Sequence, residues 1–178
     1  TRTWCPPTPR TPMDWFSLLG GTRLYVRLSP ERLVVRDARA GHVFDQAAVL
    51  AVTRGAPRRI VAVGDQAVLA AAGAQAPVDL VRPFAHPRTL MADYTGGEQL
   101  LKAAIQTVLR GRWLAPSPRV LMHPVGEPEG GLTQVEIRAL QEMALGAGAH
   151  RVTVWQGPLL TDGQVLAGQY PAAGQVLA

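Results

Sequence analysis

The chain has no asparagine, one lysine, one cysteine and no apolar run near the roughly 20 residues that would span a bilayer as a helix. Each shortage excludes a class of function. The lone Cys5 rules out an intramolecular disulfide, and it has no metal-ligand companion, which suits a reducing compartment. No basic-then-apolar start marks a secretory signal, so a cytoplasmic location is expected. Aromatic residues make up only 6% of the chain, too few to interleave with basic residues as a base-stacking surface. The net charge is +5, yet 17 of the 18 basic residues are Arg, spread along the chain with only Arg54, Arg58 and Arg59 grouped. Dispersed charge makes no stripe for a phosphate backbone, so nucleic acid is not an expected partner. Abundant Arg, Ala, Gly and Pro with no Asn fits the codon bias of a GC-rich genome.

What is present is enough apolar material, 47% of 178 residues, to bury one substantial core. Residues 1–12 carry four prolines and no apolar periodicity and predict a disordered leader, with Met13 a natural start. Asp14–Leu19 (DWFSLL) is short and amphipathic: Trp15, Phe16 and Leu19 are membrane-contact candidates, or else they pack on the domain edge. Leu24–Leu28 and Leu33–Asp37 predict a hairpin turning at Ser29-Pro30-Glu31, and Val43–Thr53 a third strand. Ile60–Val63 predicts a short strand and Asp65–Ala74 an Ala-rich helix, with Pro77–Arg88 extended. Thr95 and Glu98 have capping-box spacing before a helix that buries Leu100, Leu101, Ala104, Ile105, Val108 and Leu109.

Residues 132–155 are the best-specified stretch. Thr133 and Glu136 form a second capping-box pair. Val135, Ala139, Leu140, Met143, Ala144 and Ala147 fall on one face at helical spacing, and Gly146 and Gly148 offer a stop. Arg151–Trp155 then predicts a buried strand, parallel to Arg119–Pro124, as in a βαβ unit. After Trp155 the pattern weakens, which predicts a marginal helix or a flexible tail over 163–178.

The run TQVEIRALQEMALGAGAHRVTV resembles the corresponding segment of the MreB family of bacterial actin homologues. VDLVRPFAHPRTLMADYTGGEQLLKAAI, residues 78–105, resembles a second block of that family. The resemblance implies an α/β fold: actin-like ATPase domain I over residues 13–162. Its ribonuclease-H-like mixed sheet would have three antiparallel strands followed by two parallel ones, with covering helices and a small inserted subdomain at about 54–88. It covers roughly the first half of a family member, domain I without domain II. That expectation leaves the second phosphate hairpin and the adenosine pocket outside the sequence.

The first phosphate hairpin of the family reads close to DLGTANT, and the matching residues here are Arg27-Leu28-Ser29-Pro30-Glu31-Arg32. Arg27 replaces the acid, Ser29 the glycine, Pro30 removes an N–H donor, and Glu31 brings negative charge toward the phosphate position. Glu136 aligns with the family glutamate that orients the attacking water. Its spacing from Thr133 already gives it a structural role, so capping outweighs catalysis. No catalytic residue, cofactor or metal site is therefore expected, and ATP with magnesium enters only if the chain is half of a split ATPase. His42, His86, His123 and His150 show no metal-ligand spacing and predict surface or turn positions. Asp65 and Asp93 predict helix borders, and Trp113 and Trp155 core or interface anchors.

These readings imply a non-catalytic actin-like half-protein acting through protein contacts in cell-shape or envelope organisation. Its partner would be an MreB-type filament, an envelope-synthesis protein or a second copy of the chain. Two alternatives stand beside it: half of a split actin-like ATPase completed by another polypeptide, and an adaptor at the inner face of the cytoplasmic membrane.

Overall fold

The computed structural model describes residues 21–73, 77–86, 89–110, 116–126 and 131–178. The leader, Trp15, Phe16, Leu19 and Trp113 lie outside them. Strands β1 (Arg23–Leu28), β2 (Arg32–Asp37) and β3 (Val43–Ala47) run antiparallel in sequence order. Strand β7 (Arg119–Pro124) joins β1 in parallel, β8 (Arg151–Gln156) joins β7 in parallel, and β9 (Gln175–Val176) closes the far edge antiparallel to β8. The six strands lie in the order β3-β2-β1-β7-β8-β9. The antiparallel-then-parallel mixed sheet read from the sequence is therefore present.

Alternation along the strands explains how the sheet divides its side chains. Leu24, Val26 and Leu28 of β1 and Val120 and Met122 of β7 enter one core, while Tyr25 and Leu121 enter another on the opposite face. The larger core is covered by α2 (Tyr94–Val108), through Leu100, Leu101, Ala104, Ile105 and Val108, and by α3 (Gln134–Gly146), through Ile137, Leu140, Met143 and Ala144. The smaller core packs Trp155 and Leu160 with Val165 of the short helix α4 (Asp162–Ala167). A second sheet, in the order β5 (Ile60–Val63), β4 (Leu50–Thr53), β6 (Val78–Val81), carries helix α1 (Asp65–Gly73).

Several local expectations need correction. Val43–Thr53 is two strands, because the chain leaves the main sheet at Ala48–Val49 and β4 becomes the centre of the small sheet, ahead of residue 54. Both residues are buried at this crossing, and Ala48 N–H donates to the carbonyl of Glu31. Helix α2 is capped by Asp93, whose carboxylate accepts from the N–H of Gly96, rather than by Thr95 with Glu98. On α3 Leu140, Met143, Ala144 and Ala147 are buried as expected, but the first turn differs. Val135 is 78% exposed, and Ile137 holds the buried place. The α3 stop uses Gly148, at φ 110°, while Gly146 is the last helical residue. Of the two expectations for residues 163–178, a short helix is present, Asp162–Ala167, and a strand follows it in place of a flexible tail. Thr161 and Gln164 form a capping box for α4, Gly168 closes that helix in the left-handed region, and β9 bonds to β8.

Candidate functional site

The carboxyl ends of β7 and β8 and the β1–β2 turn face the same end of the sheet, where open α/β sheets place ligands. A groove of about 750 Å³ lies there, lined by His123, Gly126, Gln156, Gly157, Leu159 and Gln175 among others. Beside it a smaller cavity of about 210 Å³ is lined by Arg27, Ser29, Arg32, Asp45, Val125 and Leu159, among others. The structure thus brings Arg27, Ser29 and Arg32 of the altered hairpin together. Leu28 is fully buried in the core, and Pro30 and Glu31 are exposed at the tip.

The turn is closed on itself. Ser29 N–H donates to the Arg32 carbonyl at 3.0 Å, Arg32 N–H donates to Ser29 Oγ at 3.0 Å, and Ser29 Oγ donates back to the Arg32 carbonyl at 3.1 Å. Pro30 has no N–H to offer. The Arg32 guanidinium donates to Asp45 Oδ1 at 2.6 Å across the β2–β3 pair, and this bond raises its pKa. A phosphate arriving here meets a tip whose Ser29 and Arg32 backbone N–H groups are already engaged.

Glu136 is occupied in the same sense. Its Oε2 accepts from Thr133 N–H at 2.9 Å and from Thr133 Oγ at 2.8 Å, and its Oε1 accepts from Leu90 N–H at 3.0 Å. Burial pushes its carboxyl upward, but the hydrogen bonds from Thr133 and Leu90 outweigh that and hold it below the ordinary value. The capping box is complete, with Glu136 N–H donating to Thr133 Oγ. Through Leu90 the side chain also straps α3 to the segment before α2, a contact 46 residues away that spacing alone does not reveal. Glu136 lines neither of the two cavities.

The residue that sequence reasoning missed is His123. Expected at a surface or turn, it is only 3% exposed. Its Nδ1 lies 2.6 Å from Tyr25 Oη and its Nε2 lies 3.0 Å from the carbonyl of Gly157. A carbonyl only accepts, so Nε2 carries the proton, and Nδ1 then accepts from the Tyr25 hydroxyl. Tyr25 Oη in turn accepts from Leu160 N–H at 3.3 Å. Desolvation lowers the pKa of His123 and raises that of Tyr25, so both remain neutral. The network ties β1, β7 and the segment after β8 together beneath the groove. Its signal was absent from the sequence because Tyr25 and His123 are 98 positions apart. His150 does sit at an exposed turn, with Nδ1 2.6 Å from the carbonyl of Ser117. Among the described residues no cluster of three His, Cys, Asp or Glu side chains could hold a metal ion. Among them, too, no helix is long and apolar enough to cross a membrane.

The family model for MreB/Mbl protein matches residues 23–162. The cell shape-determining protein MreB of Haemophilus influenzae is 34% identical over 139 residues, which cover 76% of this chain and 38% of that protein. The chain thus spans well under half the length of that relative. The structure of MreB5 of Spiroplasma citri bound to ADP superposes with a TM-score of 0.59 at 20% identity, over 76% of this chain and 38% of that one. A non-polymerising mutant of MamK bound to AMPPNP gives 0.59 at 16% identity, over 75% and 40%. The mixed sheet and its covering helices are therefore an actin-like fold, present in part. From the family match and the curated relative, this chain belongs to the MreB/Mbl protein family of bacterial cell-shape proteins.

Proposed function

We propose that the chain is a non-catalytic MreB-type domain that works through protein contacts in cell-shape or envelope organisation, with a bacterial actin filament as its partner. The observation that carries this reading is the self-closed β1–β2 turn. Pro30 supplies no donor, the Ser29 and Arg32 N–H groups are bonded within the turn, and Glu31 adds negative charge at the tip. Phosphate binding by backbone needs N–H groups aimed outward and room for close approach. Glu136 supports the reading from a second direction, since its bonds with Thr133 and Leu90 give the glutamate a folding role that needs no chemistry. Family membership supports the cell-shape role, and a MamK neighbour whose mutant is described as non-polymerising supports filament partnership.

Titration calorimetry with magnesium-ATP tests the first half of the proposal, and co-sedimentation with polymerised MreB tests the second. No heat with ATP together with saturable co-sedimentation is the expected result. Tight magnesium-dependent ATP binding would overturn the non-catalytic reading. The open groove of about 750 Å³ at the ends of β7 and β8 favours a second reading, in which another polypeptide completes a split ATPase. ATP binding that appears only when a candidate second polypeptide is added would select it.

A further inference from the structure

Three arginines, dispersed in the sequence, meet at the amino ends of the parallel strands, at the opposite end of the sheet from the hairpin site. Arg23 of β1 is in register with Arg119 of β7, and Arg119 with Arg151 of β8. Neighbouring strands are about 4.8 Å apart, so the three form one short row. The alternation that sends Leu24, Val120 and Val152 to the larger core sends these three to the other face, with Tyr25 and Leu121. Together with Thr153, Val165 and Tyr170 they line a cavity of about 160 Å³.

Among the described residues no acidic side chain pairs with the arginines of this cavity. Arg23 is steadied by donating from Nη1 to the carbonyl of Val165 at 3.1 Å. Among the described residues neither Arg119 nor Arg151 has an acidic partner. Arg36 makes the contrast: it pairs across from Tyr25 and is neutralised by Asp162. Like charges directly opposite one another on a sheet destabilise it, and an anion between them removes that cost. Guanidinium forks match the oxygens of a tetrahedral oxyanion, and two residues that carry hydroxyls, Thr153 and Tyr170, are part of the lining. The size limits the ligand further, because drug-sized and cofactor sites occupy roughly 300–1,000 Å³. The geometry points to a phosphate-group site held by Arg23, Arg119 and Arg151, one that takes the phosphate of a small ester or a lipid headgroup and leaves the rest of the ligand outside.

The test uses the full chain at low ionic strength, titrated by calorimetry with inorganic phosphate against a chloride control of matched ionic strength. The double variant Arg119→Gln with Arg151→Gln is compared with the parent. Both side chains are exposed, so the fold is retained. Saturable phosphate binding that weakens about tenfold or more in the variant is expected. In phosphate-free buffer the melting temperature of the variant should equal or exceed that of the parent, because repulsion is relieved. Vesicles of phosphatidic acid in phosphatidylcholine distinguish the sources. Sedimentation that depends on Arg119 and Arg151 identifies a lipid headgroup, and phosphate binding without sedimentation identifies a soluble ester. Equal affinity in parent and variant, an equal response to chloride, or binding to neither phosphate nor vesicles would overturn the site.

Discussion

The two faces of the main sheet are built on different physical terms. The face under α2 and α3 is apolar and mainly aliphatic, with Phe44 and Phe84 its only buried aromatic residues among those described, and most of its buried residues recur at helical or strand spacing. The opposite face, under α4, holds one buried aromatic cluster and a chain of polar groups running from Leu160 N–H through Tyr25 and His123 to Gly157. Packing dominates the first, whereas the second depends also on side-chain hydrogen bonds between strands distant in sequence. Destabilisation by cavity formation should thus belong to one face, and sensitivity to single polar atoms and to pH to the other.

The largest effect is expected on the aliphatic face. Leu140 is fully buried between α3 and the sheet, and Leu140→Ala should cost about 2–5 kcal/mol through lost transfer energy and a residual cavity. Urea denaturation measures it. A loss below about 1 kcal/mol would mean that α3 is not seated on the sheet as described.

Next comes the polar face. Tyr25→Phe removes one oxygen and leaves Leu160 N–H and His123 Nδ1 buried without partners, at an expected cost of about 1–3 kcal/mol. The pH dependence sharpens the distinction. His123 titrates below its ordinary 6.5 in the folded chain because burial disfavours the imidazolium. The unfolded state therefore binds more protons in that window, so the stability linked to His123 is complete above about 6.5 and is lost as pH falls through the lower folded value. Glu136 has the same sign in a lower window: its contribution is complete above 4.5 and is lost on further acidification. Melting curves of a His123→Gln variant should lack the first decline and keep the second. A variant with the parent's profile would place the acid sensitivity elsewhere.

The same contrast explains what was legible in the sequence. The strands and helices of the aliphatic face announced themselves by period, and the Thr133–Glu136 box by spacing, because local rules carry that information. The polar face did not. His123 looked like one more dispersed histidine, and Arg23, Arg119 and Arg151 looked like background charge, until β-sheet register joined them. The altered hairpin at Arg27–Arg32 was visible as a departure from the family pattern. Its closure by Ser29 and Arg32, and the ion pair of Arg32 with Asp45, needed the three-dimensional turn. The structure of 163–178 was only partly legible because Gly168, Pro171 and Gly174 suggest breaks, whereas Trp155 stacks on Tyr170 and gives the segment something to pack against.

A smaller effect is expected at the start of α3. Thr133→Ala deletes the hydroxyl that accepts from Glu136 N–H and donates to its carboxylate, which should cost about 1 kcal/mol. Glu136→Gln should cost less if capping and the Leu90 strap are its role, since an amide oxygen still accepts from one of those N–H groups. If ATP binding were found and Glu136→Gln abolished turnover without changing stability, the glutamate would belong to chemistry rather than to the cap.

The smallest effect bears on the first turn of α3, where the buried face differed from the sequence reading. Counting alanines with the larger apolar residues placed Val135 and Ala139 on the buried face. Ile137 joins the expected Leu140, Met143, Ala144 and Ala147 in the buried stripe, and two positions before Ile137 corresponds to about 200° of rotation. Val135 thus points away from the sheet, into a shallow surface groove with Tyr94 and Ala139. Val135→Ser should change stability by less than about 0.5 kcal/mol, whereas Ile137→Ser should cost several times that. Equal losses at the two positions, measured by the same denaturation assay, would mean that α3 is rotated from its described setting, and Ile137 would lose its place in the core that separates the two faces.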